Sequence, residues 1–186
     1  MRFPLLAAAC LLLAAGCFPG AAQAQFQSDW ERANEERLRQ SGEKLVPPPP
    51  LNRSRLVELK QDFSARTDFR YYVDWGSVST DEDRIVRYVL LARNAAGVEN
   101  ITFEGLRCQG EYRVYAVGRP EGGWGGQASE WRPIPRNPNA AQPMLAKDYF
   151  CPGRSVIRSS AEGQQAIRAG GHAGTYREGH SISEQR

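Results

Sequence analysis

The sequence predicts a β-rich α+β fold: an antiparallel β-meander sheet with one packing C-terminal helix and one disulfide. Short apolar runs with a period of two follow one another from residue 56 to residue 118, separated by turn residues. The connections are too short for the crossover helices that a parallel sheet needs. Cys108 closes one of these runs and Cys151 follows the best helix candidate, so a bond between them would fasten the helix to the sheet.

The third of these runs, residues 84–92, is the most apolar stretch after residue 24, and we expect it at the centre of the sheet. Residues 131–135 contain two prolines, which is typical of an edge strand. Residues 121–126 include four glycines and predict a mobile loop. The predicted strands of the meander are residues 56–59, 69–75, 84–92, 98–108 and 112–118.

The helix candidate covers residues 141–149 and ends at Cys151-Pro152-Gly153. After it, glycine, serine, arginine and glutamine dominate and large apolar residues are few. Such a composition cannot bury enough apolar surface to fold, so residues 154–186 are predicted to be a disordered tail. The folded domain is therefore expected to span residues 51–153.

The first 24 residues have the pattern of a secretory signal peptide. Arg2 precedes an apolar run over residues 3–15, and Ala22-Gln23-Ala24 supplies the small residues of a cleavage site. The run is shorter than the roughly 20 residues that span a bilayer, so no transmembrane helix is expected. This pattern predicts a periplasmic protein that begins at Gln25.

The leader also permits an alternative. Residues 13–17, Leu-Ala-Ala-Gly-Cys, resemble a bacterial lipobox, in which Cys17 would be acylated and become the new N-terminus. Ala14 stands where such motifs usually carry leucine. In this interpretation the product is a structural lipoprotein of the outer membrane, whereas otherwise Cys10 and Cys17 are ordinary apolar residues of the leader.

The charge balance excludes one class of partner. The whole chain has 24 basic and 21 acidic residues, and Arg2 is the only one of them in the leader. Nucleic-acid binding would need a clustered basic face, so no nucleic-acid partner is expected. The ~160 residues that follow the leader are enough for one domain.

Residues 25–50 are predicted to be a charged, proline-rich linker. The first part would be a short solvated helix or a disordered tether, because its apolar stripe is narrow. Pro47–Pro50 lack backbone donors and would hold an extended polyproline conformation, either as a stiff linker or as a ligand for a proline-recognition domain. The stripe consists of Trp30, Ala33, Arg37 and Leu38.

The cysteine pair is predicted to be structural. A bond between Cys108 and Cys151 would close a loop of ~44 residues and contribute roughly 4 kcal/mol in the chain-entropy model. A redox or metal role would bring the cysteines close in sequence or add histidine ligands. His172 and His180 both lie in the predicted tail, so no metal ion and no cofactor are expected.

No pattern of a nucleophile and a base is recognisable, and the protein is predicted not to be an enzyme. The alternative is an envelope hydrolase in which Asp74 and Glu104, on neighbouring strands, form a carboxylate pair. Acids within a sheet more often meet arginines, such as Arg87 or Arg107. The acids of residues 80–84 lack the pattern of a calcium loop and are interpreted as a solvated turn.

Three tryptophans are the candidate ligand contacts. Trp124 lies within the glycine-rich loop. Trp75 is the last residue of one predicted strand, and Trp131 is the first residue of the predicted edge strand. Aromatic rings of this kind stack on sugars or pack against apolar ligands, although they also fill cores. The favoured hypothesis is a non-enzymatic module that binds an envelope protein, peptidoglycan or a membrane component through this loop.

The motifs of this chain resemble the CNP-one-like family over residues 56–152. The resemblance implies an exported protein of Gram-negative, chiefly beta-proteobacterial, bacteria with a cysteine pair and no established activity, and it supplies no catalytic residue. The matching pieces are Tyr-Tyr-Val-Asp at 71–74, Val-Arg-Tyr-Val-Leu at 86–90, Phe-Glu-Gly-Leu-Arg-Cys at 103–108, Tyr-Arg-Val-Tyr-Ala-Val-Gly-Arg at 112–119, Trp131, and Asp-Tyr-Phe-Cys-Pro at 148–152.

Overall fold

The computed structural model describes the backbone of residues 19–60, 68–120, 122–138 and 140–177, and the side chains of these residues from 29 to 175. The predicted signal peptide up to residue 18, with Cys10 and Cys17, lies outside the described residues, as does His180. Within the described ranges no helix is long and apolar enough to cross a membrane.

The sheet is an antiparallel meander, as the sequence predicts, and it has seven strands. Strands that are consecutive in the chain pair with each other from β1 to β6, and β7 also pairs with β5. The short β7 confirms the predicted edge strand. The strands are β1 (Leu56–Glu58), β2 (Phe69–Ser79), β3 (Val86–Asn94), β4 (Glu99–Arg107), β5 (Glu111–Gly118), β6 (Trp124–Gly125) and β7 (Arg132–Pro133).

Strand β3 is buried on both faces, which explains its continuous apolar run. Its first six residues are all buried, and it lies between β2 and β4. It begins at Val86 and not at Arg84, because Arg84 has a φ of 57° and its N–H donates to Asp81 O at 2.9 Å in a turn. Both faces of the sheet are therefore covered by other parts of the chain.

One face, the C-terminal face, is covered by the predicted helix. Helix α2 (Ala141–Met144) continues as one turn of π-helix, Leu145–Phe150, and the N–H of Cys151 donates to Ala146 O at 3.0 Å, five residues back. Leu145 and Phe150 are fully buried in a core with Tyr88 of β3.

A second helix on this face corrects the prediction of a disordered tail. Helix α3 (Ser160–Ala169) packs on β2 through Gly163, Ala166 and Ile167, all of which are buried. Gly163 is needed for this contact, because a Cβ there would lie 2.8 Å from Val78 Cγ1. Small residues let the helix approach closely without a strongly apolar sequence. A short helix α4 (Ala173–Arg177) follows.

The opposite face, the N-terminal face, is covered by the segment predicted to be a linker. Helix α1 (Pro19–Gln40) buries Trp30, Asn34 and Leu38, spaced four residues apart. Trp30 Nε1 donates to Tyr115 O at 3.1 Å, and Asn34 Oδ1 accepts from Ala128 N at 2.7 Å. The narrow stripe is sufficient because these hydrogen bonds fix the helix on the sheet. Residues 29–50 are thus part of the folded domain.

Candidate binding cleft

A cleft of about 530 Å³ opens on the N-terminal face. One wall includes Pro48 and Pro50 of the proline segment (residues 47–50) and Leu51 after it, and the other includes residues 118–120 and 122–124 of the glycine-tryptophan hairpin formed by β5 and β6. Ile101 of β4 lies between them. The cleft therefore combines apolar side chains with exposed backbone, and both walls come from segments predicted to be irregular.

Trp124 lies in a hairpin, within the segment that the sequence predicts to be a mobile loop. Trp124 is the first residue of strand β6 and pairs with Gly118 of β5. The centre of its ring lies 6.3 Å from the centre of the Phe103 ring. Its Nε1 donates to Pro49 O at 3.0 Å. Only 8% of the residue is exposed, so Trp124 belongs both to the core of this face and to the cleft.

Two glycines of the hairpin make the wall flat. A Cβ on Gly118 would lie 2.9 Å from Ile101 Cβ, and a Cβ on Gly125 would meet the guanidinium of Arg119. Arg119 therefore lies across the backbone of β6 at the rim of the cleft. Larger residues at either position would push these neighbours away.

Two charged residues of the cleft, Arg53 and Glu99, belong to a compact ion-pair cluster. Arg53 Nη2 lies 2.7 Å from Glu99 Oε2, and Arg93 Nη2 lies 2.7 Å from Glu99 Oε1. The hydrogen bond from Arg53, with that from Arg93, lowers the pKa of Glu99 despite some burial. Glu99 is thus held as a carboxylate between two guanidinium groups.

Trp131 lies near the same face, but its ring and its N–H already contact other residues of the protein. The guanidinium of Arg107 stacks 3.9 Å from the centre of its ring, and its Nε1 donates to Glu43 Oε1 at 2.9 Å. It is not among the residues that line the cleft. Its role is therefore to complete a buried polar cluster.

That cluster centres on Glu43, a residue that the sequence analysis did not select. Its carboxylate accepts hydrogen bonds from Arg113 Nη1 at 2.5 Å, Tyr115 Oη at 2.6 Å and Ser41 Oγ at 2.8 Å. Burial opposes its charge, yet the hydrogen bonds from Tyr115, Trp131 and Ser41 and the charge of Arg113 keep the pKa of Glu43 below its ordinary value. A lone glutamate in a charged run offers no periodic signal of this role.

Tyr115 lies between two buried arginines in this cluster. Its ring centre is 5.5 Å from the guanidinium carbon of Arg87 and 5.4 Å from that of Arg113. Gly105 of β4 pairs with Arg87 of β3 on one side and with Arg113 of β5 on the other. A Cβ on Gly105 would lie 2.5 Å from Tyr115 Cε2. The absence of a side chain at residue 105 thus makes room for the tyrosine. Burial raises the pKa of Tyr115.

Trp75 lies on the opposite side of the sheet, so the three predicted ligand contacts are not brought together. It packs partly buried against the core of the C-terminal face, with the guanidinium carbon of Arg168 at 4.9 Å and that of Arg55 at 6.0 Å from its ring centre. Of the three tryptophans, Trp124 alone lines the cleft on the N-terminal face.

Asp74 and Glu104 do not form a carboxylate pair. Asp74 is opposite Val89, which is opposite Phe103, and residues paired across a sheet share a face. Glu104 is the next residue after Phe103 and therefore points to the other face. Asp74 instead forms an ion pair with Arg55 at 2.9 Å, as acids within a sheet often do.

Glu104 is a buried carboxyl with neutral partners. It accepts hydrogen bonds from Thr102 Oγ1 at 2.8 Å, Gln142 Nε2 at 2.9 Å and Tyr88 Oη at 3.0 Å. Desolvation raises the pKa of Glu104 despite these bonds. They fasten helix α2 to the middle of the sheet.

The remaining polar candidates are paired within the fold. Asp83 pairs with Arg87 and Asp81 with Lys44, so these acids of the predicted turn hold neighbouring segments. His172 Nε2 lies 3.1 Å from Glu162 Oε1. In the described part of the chain, no three histidine, cysteine, aspartate or glutamate side chains converge as metal ligands would.

The disulfide joins Cys108, which follows β4, to Cys151 at the end of the π-helical turn. The Cα atoms are 5.6 Å apart and the bond closes a separation of 43 residues. A second cavity of about 640 Å³ lies beside it, with Arg107, Lys147 and Arg154 among its lining residues. The predicted pairing is therefore present, and it fastens α2 to the sheet as expected.

Comparison with known proteins identifies a family for this chain. No curated protein and no solved structure matches this chain significantly. A family model matches residues 34–168, which extends beyond the predicted domain on both sides and takes in part of α1 and most of α3. The chain therefore belongs to the CNP1-like family.

Proposed function

We propose that this protein is exported to the cell envelope and acts there by binding a ligand, without catalysis, through the cleft beside Trp124. The observation that carries the proposal is the cleft itself: a concave surface of about 530 Å³ with apolar walls, exposed glycine backbone and a few charged groups. Ligand sites typically combine these features.

The electrostatics of the cleft favour binding over chemistry. Glu99 is paired with Arg53 and Arg93, and its pKa is lowered. A carboxylate held in this way is a weak general base near neutral pH. Because Asp74 and Glu104 also face away from each other, we do not propose a hydrolase that uses them as a pair.

The proposal of export rests on the leader and on the disulfide. Cys108 and Cys151 form a bond that persists in oxidising compartments such as the periplasm. Mass spectrometry of the protein purified from its own cells tests this. A chain beginning at Gln25 means a soluble periplasmic protein, acylated Cys17 means an anchored one, and a retained leader contradicts export.

Capture from an envelope extract tests the role of the cleft. The immobilised mature protein is compared with an Arg119→Glu variant, which reverses a charge at the rim, and with Arg136→Glu, an exposed residue that does not line the cleft. We expect at least one extract component to be retained by the wild type and by Arg136→Glu but lost from Arg119→Glu. If every retained component binds all three proteins equally, the cleft is not the binding surface.

A further inference from the structure

We propose that the Trp124 side of the cleft recognises proline-rich segments in the extended polyproline conformation, and that the protein's own Pro47–Pro50 occupies this site in cis. This inference rests on the proposed function and deepens it. The partner it names is a proline-rich segment of another polypeptide, which replaces the cis segment.

The contact between Trp124 and the proline segment has the chemistry of polyproline recognition. Prolines have no N–H, so a site that binds them must donate to their carbonyl groups and offer apolar surface to their rings. Trp124 supplies the donor, because its Nε1 donates to Pro49 O at 3.0 Å, and its apolar ring borders the cleft that Pro48 and Pro50 also line. Pro48 is buried, so the segment is bound and does not merely pass over the surface.

The recognition surface is built by the sheet and not by its occupant. Trp124 pairs with Gly118 through β6, and its ring packs against Phe103 of β4. None of these contacts involves the proline segment. The site therefore keeps its shape when the segment leaves, which is the preorganisation that binding in trans requires.

The proline segment lies between two firm attachments and has few hydrogen bonds of its own. Upstream, the buried Glu43 is bound to Arg113, and downstream, Asn52 N donates to Asp74 Oδ2 at 2.9 Å. Among the described residues, the only hydrogen bond to Pro47–Pro50 is the one from Trp124. A local displacement of the segment can therefore leave both attachments in place.

Because the cis segment is tethered, it competes at a high effective concentration with any segment in trans. The apparent affinity for a partner is the intrinsic affinity multiplied by the fraction of molecules whose site is free. Weakening the cis contact should consequently strengthen binding in trans. If the contact were purely structural, weakening it would not strengthen binding in trans. This measurement therefore distinguishes a self-occupied site from a structural contact.

The test uses the mature protein and a fluorescent peptide with the sequence of residues 44–53. Binding is measured by anisotropy for the wild type and for a variant with Pro48, Pro49 and Pro50 each changed to glycine. We expect the variant to bind at least about tenfold more tightly. Adding Trp124→Phe to it should weaken binding by about fivefold, since one hydrogen-bond donor is lost. Adding Trp75→Phe, on the other face, should change nothing.

A second measurement on the wild type keeps the test decisive if the glycine variant does not fold. Excess peptide should shift the indole N–H resonance of Trp124 and leave that of Trp75 unchanged, and a peptide with its four prolines changed to alanine should shift neither. Equal binding of both peptides, or no response at Trp124, would overturn the inference. A captured envelope partner that depends on Arg119 but has no proline-rich segment would overturn it too, while leaving the proposed function intact.

Discussion

Glu43 Oε1 and Arg113 Nη1 lie 2.5 Å apart, and their side chains are only 1% and 2% exposed. The two residues are 70 positions apart in the sequence, so this ion pair connects the segment after α1 to strand β5. Removing one partner of such a pair leaves a buried charge without compensation, which is far more harmful than the loss of a surface ion pair.

The first prediction follows from this geometry. Glu43→Gln should lower the free energy of unfolding by about 3 kcal/mol, because Arg113 remains buried without a counter-charge. Glu35→Gln, on the exposed side of α1, is the control and should have little effect. Urea unfolding of both variants measures the difference. Equal stability of the two would mean that Arg113 finds another partner.

The second prediction concerns Gly105. Gly105→Ala should reduce stability by about 1–3 kcal/mol, because its Cβ would lie 2.5 Å from the ring of Tyr115, which two arginines and Glu43 hold in place. Gly125→Ala is the matched control, since the atoms nearest to its Cβ would be those of the Arg119 guanidinium, the flexible end of a side chain. Thermal unfolding should show a much smaller loss for the control.

The third prediction tests the packing of α3. Ile167 is fully buried, so Ile167→Ala should destabilise the protein by about 2–4 kcal/mol. Arg158→Ala removes a side chain that is 90% exposed and should be nearly neutral. Unfolding by urea compares the two. A detached C-terminal segment would give the same midpoint for both variants.

The meander and the disulfide could be predicted from the sequence because each depends on local signals. Alternating apolar runs and short turns define the strands, and the two cysteines that follow the predicted leader leave one pairing. The helices at the two ends of the folded domain have weaker sequence patterns, because α1 has Asn34 within its buried stripe and α3 buries mostly small residues. Ser159, whose Oγ accepts from Glu162 N at 3.2 Å, and Gly170 are capping residues that could have indicated α3.

The candidate site could be predicted only in part. The importance of Trp124 follows from its glycine-rich surroundings, but the partners of a side chain depend on its face, and the face changes with every residue along a strand. Asp74 and Glu104 illustrate this, because their separation follows from the register through Val89 and Phe103. Glu43 could not be selected at all, since its partners become neighbours only when the chain folds.

The fourth prediction concerns the disulfide. Changing Cys108 and Cys151 together to serine should lower the free energy of unfolding by up to about 4 kcal/mol, since the bond closes a long loop in the unfolded chain. Reduction of the wild type with dithiothreitol should give a similar loss. Denaturant unfolding with and without the reductant measures it. A wild type whose midpoint does not respond to the reductant would argue that the bond contributes nothing to stability.

The fifth prediction is a pH dependence that originates at Glu104. Desolvation raises its pKa above the ordinary value of 4.5, so in the window between these two values the folded state binds more protons than the unfolded state. The contribution of Glu104 to stability is therefore fully present below pH 4.5 and is lost as the pH rises through the raised pKa. Glu104→Gln has no proton to lose, and the fall in its stability between acid and neutral pH should be smaller than that of the wild type. Glu35→Gln, at an exposed site, should keep the wild-type profile. Urea unfolding at a series of pH values measures all three, and parallel profiles for wild type and Glu104→Gln would show that this carboxyl titrates alike in both states.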